Sequence, residues 1–177
     1  MPNSNGIEGD GDGRKQHDAV PDLTLGAEDF ALSIAQVREV LNYTTITTVP
    51  RMPEFLRGVI NLRGNVVPVI DLRLKLGMEA TQRTADTCIV IVEMQVEGDL
   101  VQMGALADSV KEVIDLDRSD IMPPPKLGTS LKSEFIQGMA RQDEKFLILL
   151  NIDRILSDDE MSTVKTAGHA QAVKEKA

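Results

Sequence analysis

The chain has 177 residues, a hydrophobic content of 42%, a formal net charge of −9 and a pI near 4.7. That length fits one domain, or one compact unit of two small lobes. The acidic balance disfavours phosphate backbones and anionic lipid. With 3% aromatic residues and no Trp, the base-stacking surfaces that bind single-stranded nucleic acid are also excluded. Cys88 is the one cysteine, which rules out an internal disulfide and a CxxC metal site. It lies in the apolar run Thr87-Cys88-Ile89-Val90-Ile91-Val92, where a free thiol behaves as a small hydrophobe.

Residues 1–21 are rich in Gly, Asp and Asn and carry too little apolar surface to offset ordering entropy, so a disordered tail is expected there. The Gly-Asp-Gly-Asp-Gly stretch within it has part of a calcium-loop composition but no Glu at the twelfth position. This end has no apolar h-region, and no run reaches the ~18 apolar residues of a membrane span. The expected location is the cytoplasm, without direct insertion into a membrane.

The folded unit is expected over residues 22–161. Val66, Pro68, Ile70, Leu72, Leu74 and Leu76 alternate with Val67, Val69, Asp71, Arg73 and Lys75, the period of a half-buried strand. The continuous apolar runs Cys88 to Val92 and Phe146 to Leu150 read as fully buried strands. Leu100 to Ala107 and Val110 to Leu116 are further strands, and Glu97-Gly98-Asp99 is a hairpin turn signal. Many short strands at this spacing give an all-β fold of small barrels or a sandwich. Helix is scarce: a single turn at Pro53 to Leu56, a weak amphipathic segment from Ser130 to Met139, and a short helix holding Ile152, Ile155 and Leu156. Pro123-Pro124-Pro125 reads as an extended connection. Residues 162–177 are expected to be a flexible tail, a frayed helix at best.

No catalytic constellation emerges. His17 and His169 lie in the expected tails, and the pairs Asp115/Asp117 and Asp158/Asp159 sit in solvated-looking segments. The expectation is a non-enzyme with no metal and no cofactor. The segment from Arg51 to Lys75 differs, because it holds five basic and two acidic residues. Its net +3 within an acidic chain suits an acidic or carbonyl-rich partner surface. Within it, Asn61-Leu62-Arg63-Gly64-Asn65 has a turn composition, and Gly64 can supply a positive φ or a bulge that pushes Arg63 outward.

That same region carries a family resemblance. Pro53-Glu54-Phe55-Leu56-Arg57-Gly58-Val59-Ile60-Asn61-Leu62-Arg63-Gly64 followed by Val67-Pro68-Val69-Ile70-Asp71-Leu72-Arg73 resembles the central motif of the CheW family. Leu23-Thr24-Leu25-Gly26, Phe30-Ala31-Leu32-Ser33-Ile34 and Val37-Arg38-Glu39-Val40 precede it in family order. Val110-Lys111-Glu112-Val113, Phe135-Ile136-Gln137-Gly138-Met139 and Ile148-Leu149-Leu150-Asn151-Ile152 follow. The family comprises adaptors that couple bacterial chemoreceptors to their histidine kinase.

The resemblance implies two intertwined five-stranded SH3-like barrels without a cofactor. It also implies that the kinase regulatory domain binds one lobe and the chemoreceptor tip binds the groove between lobes. Val37, Glu39, Gly58 and Arg63 fall on family positions tied to coupling, with Glu39 and Arg63 where a salt bridge is allowed. One departure stands out: His17-Asp18-Ala19-Val20-Pro21-Asp22 replaces a longer apolar run, so the first strand is expected to be short or an edge. An alternative is a stand-alone kinase-regulatory-like domain of a non-chemotaxis sensory pathway. A small-ligand or metal enzyme on a β-barrel would need convergent polar groups, which the sequence does not offer.

Overall fold

The computed structural model describes residues 17–176 except 34, 97, 124–134 and 143. Eleven strands run in chain order: β1 (His17–Leu25), β2 (Glu28–Ala31), β3 (Val37–Asn42), β4 (Leu56–Leu62), β5 (Asn65–Asp71), β6 (Cys88–Val96), β7 (Asp99–Ala107), β8 (Ser109–Asp117), β9 (Ile121–Met122), β10 (Ile136–Gln142) and β11 (Lys145–Leu150). Helices are α1 (Leu72–Lys75), α2 (Ile152–Ile155) and α3 (Asp158–Lys176), with a 3₁₀ turn at Arg118–Asp120.

The strands form two sheets. One has the order β8-β1-β2-β11-β10-β9 and the other β3-β6-β7-β5-β4. The second sheet is built from one unbroken stretch of chain, inserted between β2 and β8 of the first. Each sheet also curls onto itself. In the second lobe, the chain leaving β3 reaches β4 through paired backbone hydrogen bonds between Thr47 and Val59, both 2.8 Å. Its two edge strands are thereby joined. In the first lobe, β8 and β9 are opposite edges, yet only Arg118–Asp120 separates them in sequence. Taken as one bent strand, β8 and β9 make this lobe five-stranded too, and closure leaves no long free edge.

The alternation of β6 explains its continuous apolar run. Ile89 and Ile91 belong to a cluster inside the second lobe with Ile60, Val67, Val69 and Leu106. Cys88, Val90, Val92, Met94 and Val96 face the other way, into the largest cluster of the molecule. That cluster joins Leu23, Leu25, Phe30 and Leu32 of the first lobe to Ile70 and Met103 of the second. A strand buried on both faces reads as uninterrupted hydrophobics. Val20, Ala31, Ile114, Leu116, Ala140, Leu147 and Leu149 fill the first lobe. Within the main cluster, burial of each Val, Leu or Ile contributes about 1.5–3 kcal/mol.

Several local expectations need correction. β1 is neither short nor an edge: it has nine residues and pairs with both β2 and β8. The register with β8 shifts between Pro21 and Leu23, a local irregularity that takes up the residue unable to donate. The alternation in β5 stops at Asp71, whose carboxylate accepts from the Arg73 amide at 3.0 Å and caps α1, so Leu74 and Leu76 are not strand residues. Pro68 is interior to β5, and pairing with β7 starts one residue later at Val69. Pro53 to Leu56 is a turn closed by the Leu56 amide on the Pro53 carbonyl, not a helix. Ile136 to Met139 lies in β10, while the earlier part of the expected helix, with Pro124 and Pro125, lies outside the described residues.

The ends also differ from expectation. β1 begins five residues before position 22, and the expected boundary after residue 161 falls inside α3. Val164 and Ala167 are buried in the main cluster. Their helix starts with a capping box, in which the Glu160 amide donates to the Ser157 hydroxyl and the Ser157 amide donates to the Glu160 carboxylate. Gly168 of the same helix faces the Pro68 ring of β5.

Candidate functional site

The expected residues Val37, Glu39, Gly58 and Arg63 all lie on the second lobe, at or beside the seam where its edge strands meet. Three sit within strands, Val37 and Glu39 on β3 and Gly58 on β4; Arg63 is in the β4–β5 turn. The seam depends on Gly58. Its φ is +147°, and a Cβ at this position would lie 2.1 Å from the Thr47 carbonyl oxygen. Only a residue without a side chain allows Thr47 to approach β4 and make its two hydrogen bonds. The β4–β5 register also shifts between Leu56 and Gly58.

Five residues on, the chain reverses through Arg63 and Gly64, with Leu62 opposite Asn65. Both central residues have positive φ, +53° for Arg63 and +86° for Gly64. This is the twist that a two-residue hairpin connection favours. The sequence reading anticipated a positive φ at Gly64 but not at Arg63, where an ordinary side chain meets a steric cost. The bulge allowed for at Gly64 occurs instead at Gly58.

Arg63 then spans the seam. Its two terminal nitrogens donate to the two carboxylate oxygens of Glu39, each at 2.8 Å. The fork-to-fork geometry fixes orientation as well as charge. The arginine side chain is 68% exposed and the glutamate 29%, so the pair forms a surface feature. The hydrogen bonds from Arg63 hold the Glu39 carboxyl below its ordinary value, against the opposing effect of desolvation. Val37 is half-buried and packs on the cluster shared by both lobes. Between them, β3 shifts register against β6, which sets Arg38 apart, and Arg38 pairs with Glu93 of β6.

A second network, not identified from the sequence, lies at the end of this hairpin away from the turn. Asp71 is fully buried and accepts from the Arg57 guanidinium at 2.8 Å, the Thr81 amide at 2.9 Å, the Thr81 hydroxyl at 2.8 Å and the Arg73 amide. Arg57 also donates to the Thr81 carbonyl. Four donors satisfy the carboxylate, which is the condition for burying one without great cost. In the sequence Asp71 and Arg73 read as one face of an alternating strand, with no signal of proximity to Arg57 or Thr81.

No group of three or more His, Cys, Asp or Glu among the described residues is placed to hold a metal. Cys88 is buried, and burial with the nearby Asp108 charge pushes its thiol up to about 11. A thiol so protonated is no nucleophile. No helix among the described residues is long and apolar enough to cross a membrane.

Comparison with known proteins gives this geometry a family. Residues 23–160 match the model of the CheW-like domain. The chain is 34% identical over 142 residues to the chemotaxis protein CheW of Klebsiella aerogenes, covering 80% of this chain and 83% of the relative. It is 33% identical to the chemotaxis protein CheW of Helicobacter pylori, over 76% and 79% of the two chains. Among solved structures, the scaffolding protein TtCheW of Thermoanaerobacter tengcongensis superposes with a TM-score of 0.72 at 34% identity, covering 81% of this chain and 90% of that one. The chain belongs to the CheW-like family.

Proposed function

We propose that this protein is a chemotaxis adaptor that joins chemoreceptors to the chemotaxis histidine kinase, and that it does so by docking rather than by catalysis. The observation that carries the reading is the bidentate Glu39–Arg63 pair across the seam of the second lobe, at positions the family resemblance ties to coupling. Relatives with names of chemotaxis and scaffolding proteins over most of the chain support it. Val37, Glu39, Gly58 and Arg63 form the partner-binding set. The partners are the regulatory domain of the kinase and the cytoplasmic tip of the chemoreceptor, and the protein works in the cytoplasm at the receptor arrays.

Physically, the pair presents a fixed charge pattern on a rigid barrel, so little ordering entropy is lost on docking. Charge reversal tests the assignment. Arg63→Glu and Glu39→Lys are each titrated against the kinase regulatory domain and against a receptor fragment. Each reversal is expected to weaken binding more than alanine does, because like charges then face each other. Unchanged affinities for both partners, with normal melting, would remove Arg63 and Glu39 from the docking surface.

A further inference from the structure

We infer that Asn61 is a positioning residue for the Arg63–Glu39 pair. The side chain of Asn61 accepts a hydrogen bond from the Gly64 amide at 2.9 Å, spanning the turn that carries Arg63. That turn asks for left-handed backbone at two successive residues. Gly64 adopts it freely, and nothing lies within 4 Å of where its Cβ would be. Arg63 does not adopt it freely, since Asn, Asp and Gly are the residues that favour this slot. The pairing of Leu62 with Asn65 and the Arg63–Glu39 bonds both bear on this turn, and Asn61 adds a side-chain acceptor to its backbone. The asparagine oxygen closes a ring over residues 61 to 64 and ties the amide following Arg63 to the strand before it.

The consequence reaches the charge pair. The two guanidinium nitrogens meet the two Glu39 oxygens from this direction of departure, and a change in φ at Arg63 redirects the Cα–Cβ bond from which the side chain reaches β3. The Asn61 side chain is bonded to the Gly64 amide and is itself exposed. Its effect is therefore on geometry, through the backbone. The relevance to docking rests on the function proposed above, but the positioning itself does not.

The test uses the full-length protein with Asn61→Ala, Asn61→Asp and Asn61→Ser. Carbon chemical shifts of Arg63 report the sign of its φ, and the carboxyl shift of Glu39 reports its titration. In Asn61→Ala, the Arg63 shifts are expected to leave the left-handed range and the Glu39 midpoint to rise towards that of a free glutamate. Asn61→Asp keeps the acceptor in place and is expected to retain the native Arg63 shifts; the shorter Asn61→Ser should fall between. Binding to the kinase regulatory domain or receptor fragment is expected to weaken roughly three- to tenfold in Asn61→Ala, the scale of one ordinary hydrogen bond. Native Arg63 shifts and an unmoved Glu39 midpoint in Asn61→Ala would overturn the inference, as would their loss in Asn61→Asp. If both signals move while partner affinity stays native, Asn61 positions the pair and the docking role of the pair is what fails.

Discussion

Replacing Gly58 by alanine places a methyl group where the Thr47 carbonyl oxygen now sits, at 2.1 Å from the Cβ position, with the Ile46 side chain at 2.8 Å. Backbone atoms cannot give way as the end of a flexible side chain does. The chain from β3 must move off β4, and both Thr47–Val59 hydrogen bonds, each 2.8 Å, are lost or stretched. Two such bonds contribute about 0.5–1.5 kcal/mol each. Holding an alanine at this φ adds about 1–3 kcal/mol of strain. The expected loss is therefore about 2–6 kcal/mol, measured by urea unfolding at neutral pH with the slope of the transition checked for constancy. Partner binding should fall as well, even for molecules still folded, since the opened seam separates Glu39 from Arg63. A stability loss under about 0.5 kcal/mol, the level of an ordinary surface change, would refute the close-approach argument for Gly58.

Other consequences are equally measurable. Asp71→Ala removes the acceptor of four donors and should cost roughly 3 kcal/mol in chemical unfolding; Arg57, left behind, is part-exposed and can turn to water, but the Thr81 and Arg73 amides lose their acceptor. Asp22 is buried, one of its carboxylate oxygens has no hydrogen-bond partner among the described residues, and burial followed by Asp29 and Glu112 raises its pKa against the lowering effect of Lys111 and Lys145. Its folded value thus exceeds the unfolded one, so its contribution is present at low pH and lost as pH rises through the raised value. Asp22→Asn is accordingly expected to raise the melting temperature at pH 7, with the gain shrinking towards about pH 4; a pH-independent effect would contradict this. The Glu160 carboxyl is brought below its ordinary value by Lys75 and Ser157 in spite of burial, so that the Lys75 bridge should weaken as pH falls through that lowered value, seen as earlier loss of α3 amide protection in acid. Cys88, with its thiol near 11, should resist alkylation at pH 8 until the protein is unfolded.

Most strands were legible because their signal is local. The alternation in β5 and the unbroken run in β6 follow from which faces are buried, and both are visible in one window of sequence. Where the sequence reading went astray, a neighbour decided the outcome. Leu74 and Leu76 continue the strand period, yet Asp71 caps a helix turn there, helped by Thr81, which lies ten residues further on. Pro21 suggested an edge strand, but a register shift against β8 absorbs it. α3 looked too poor in apolar residues to pack, yet Val164 and Ala167 are buried in the main cluster. The site residues were reached through family motifs. The physical reason for Gly58, its contact with Thr47, depends on chain segments that meet only after closure, whereas the positive φ at Arg63 is set within the β4–β5 turn.

Bridging of two partners by one molecule is checked by sedimentation of the protein mixed with kinase regulatory domain and receptor cytoplasmic fragment. A single species containing all three is expected, which the two partners alone do not form, and which Arg63→Glu depletes without unfolding the protein. Binary complexes only, with each partner displacing the other, would contradict it.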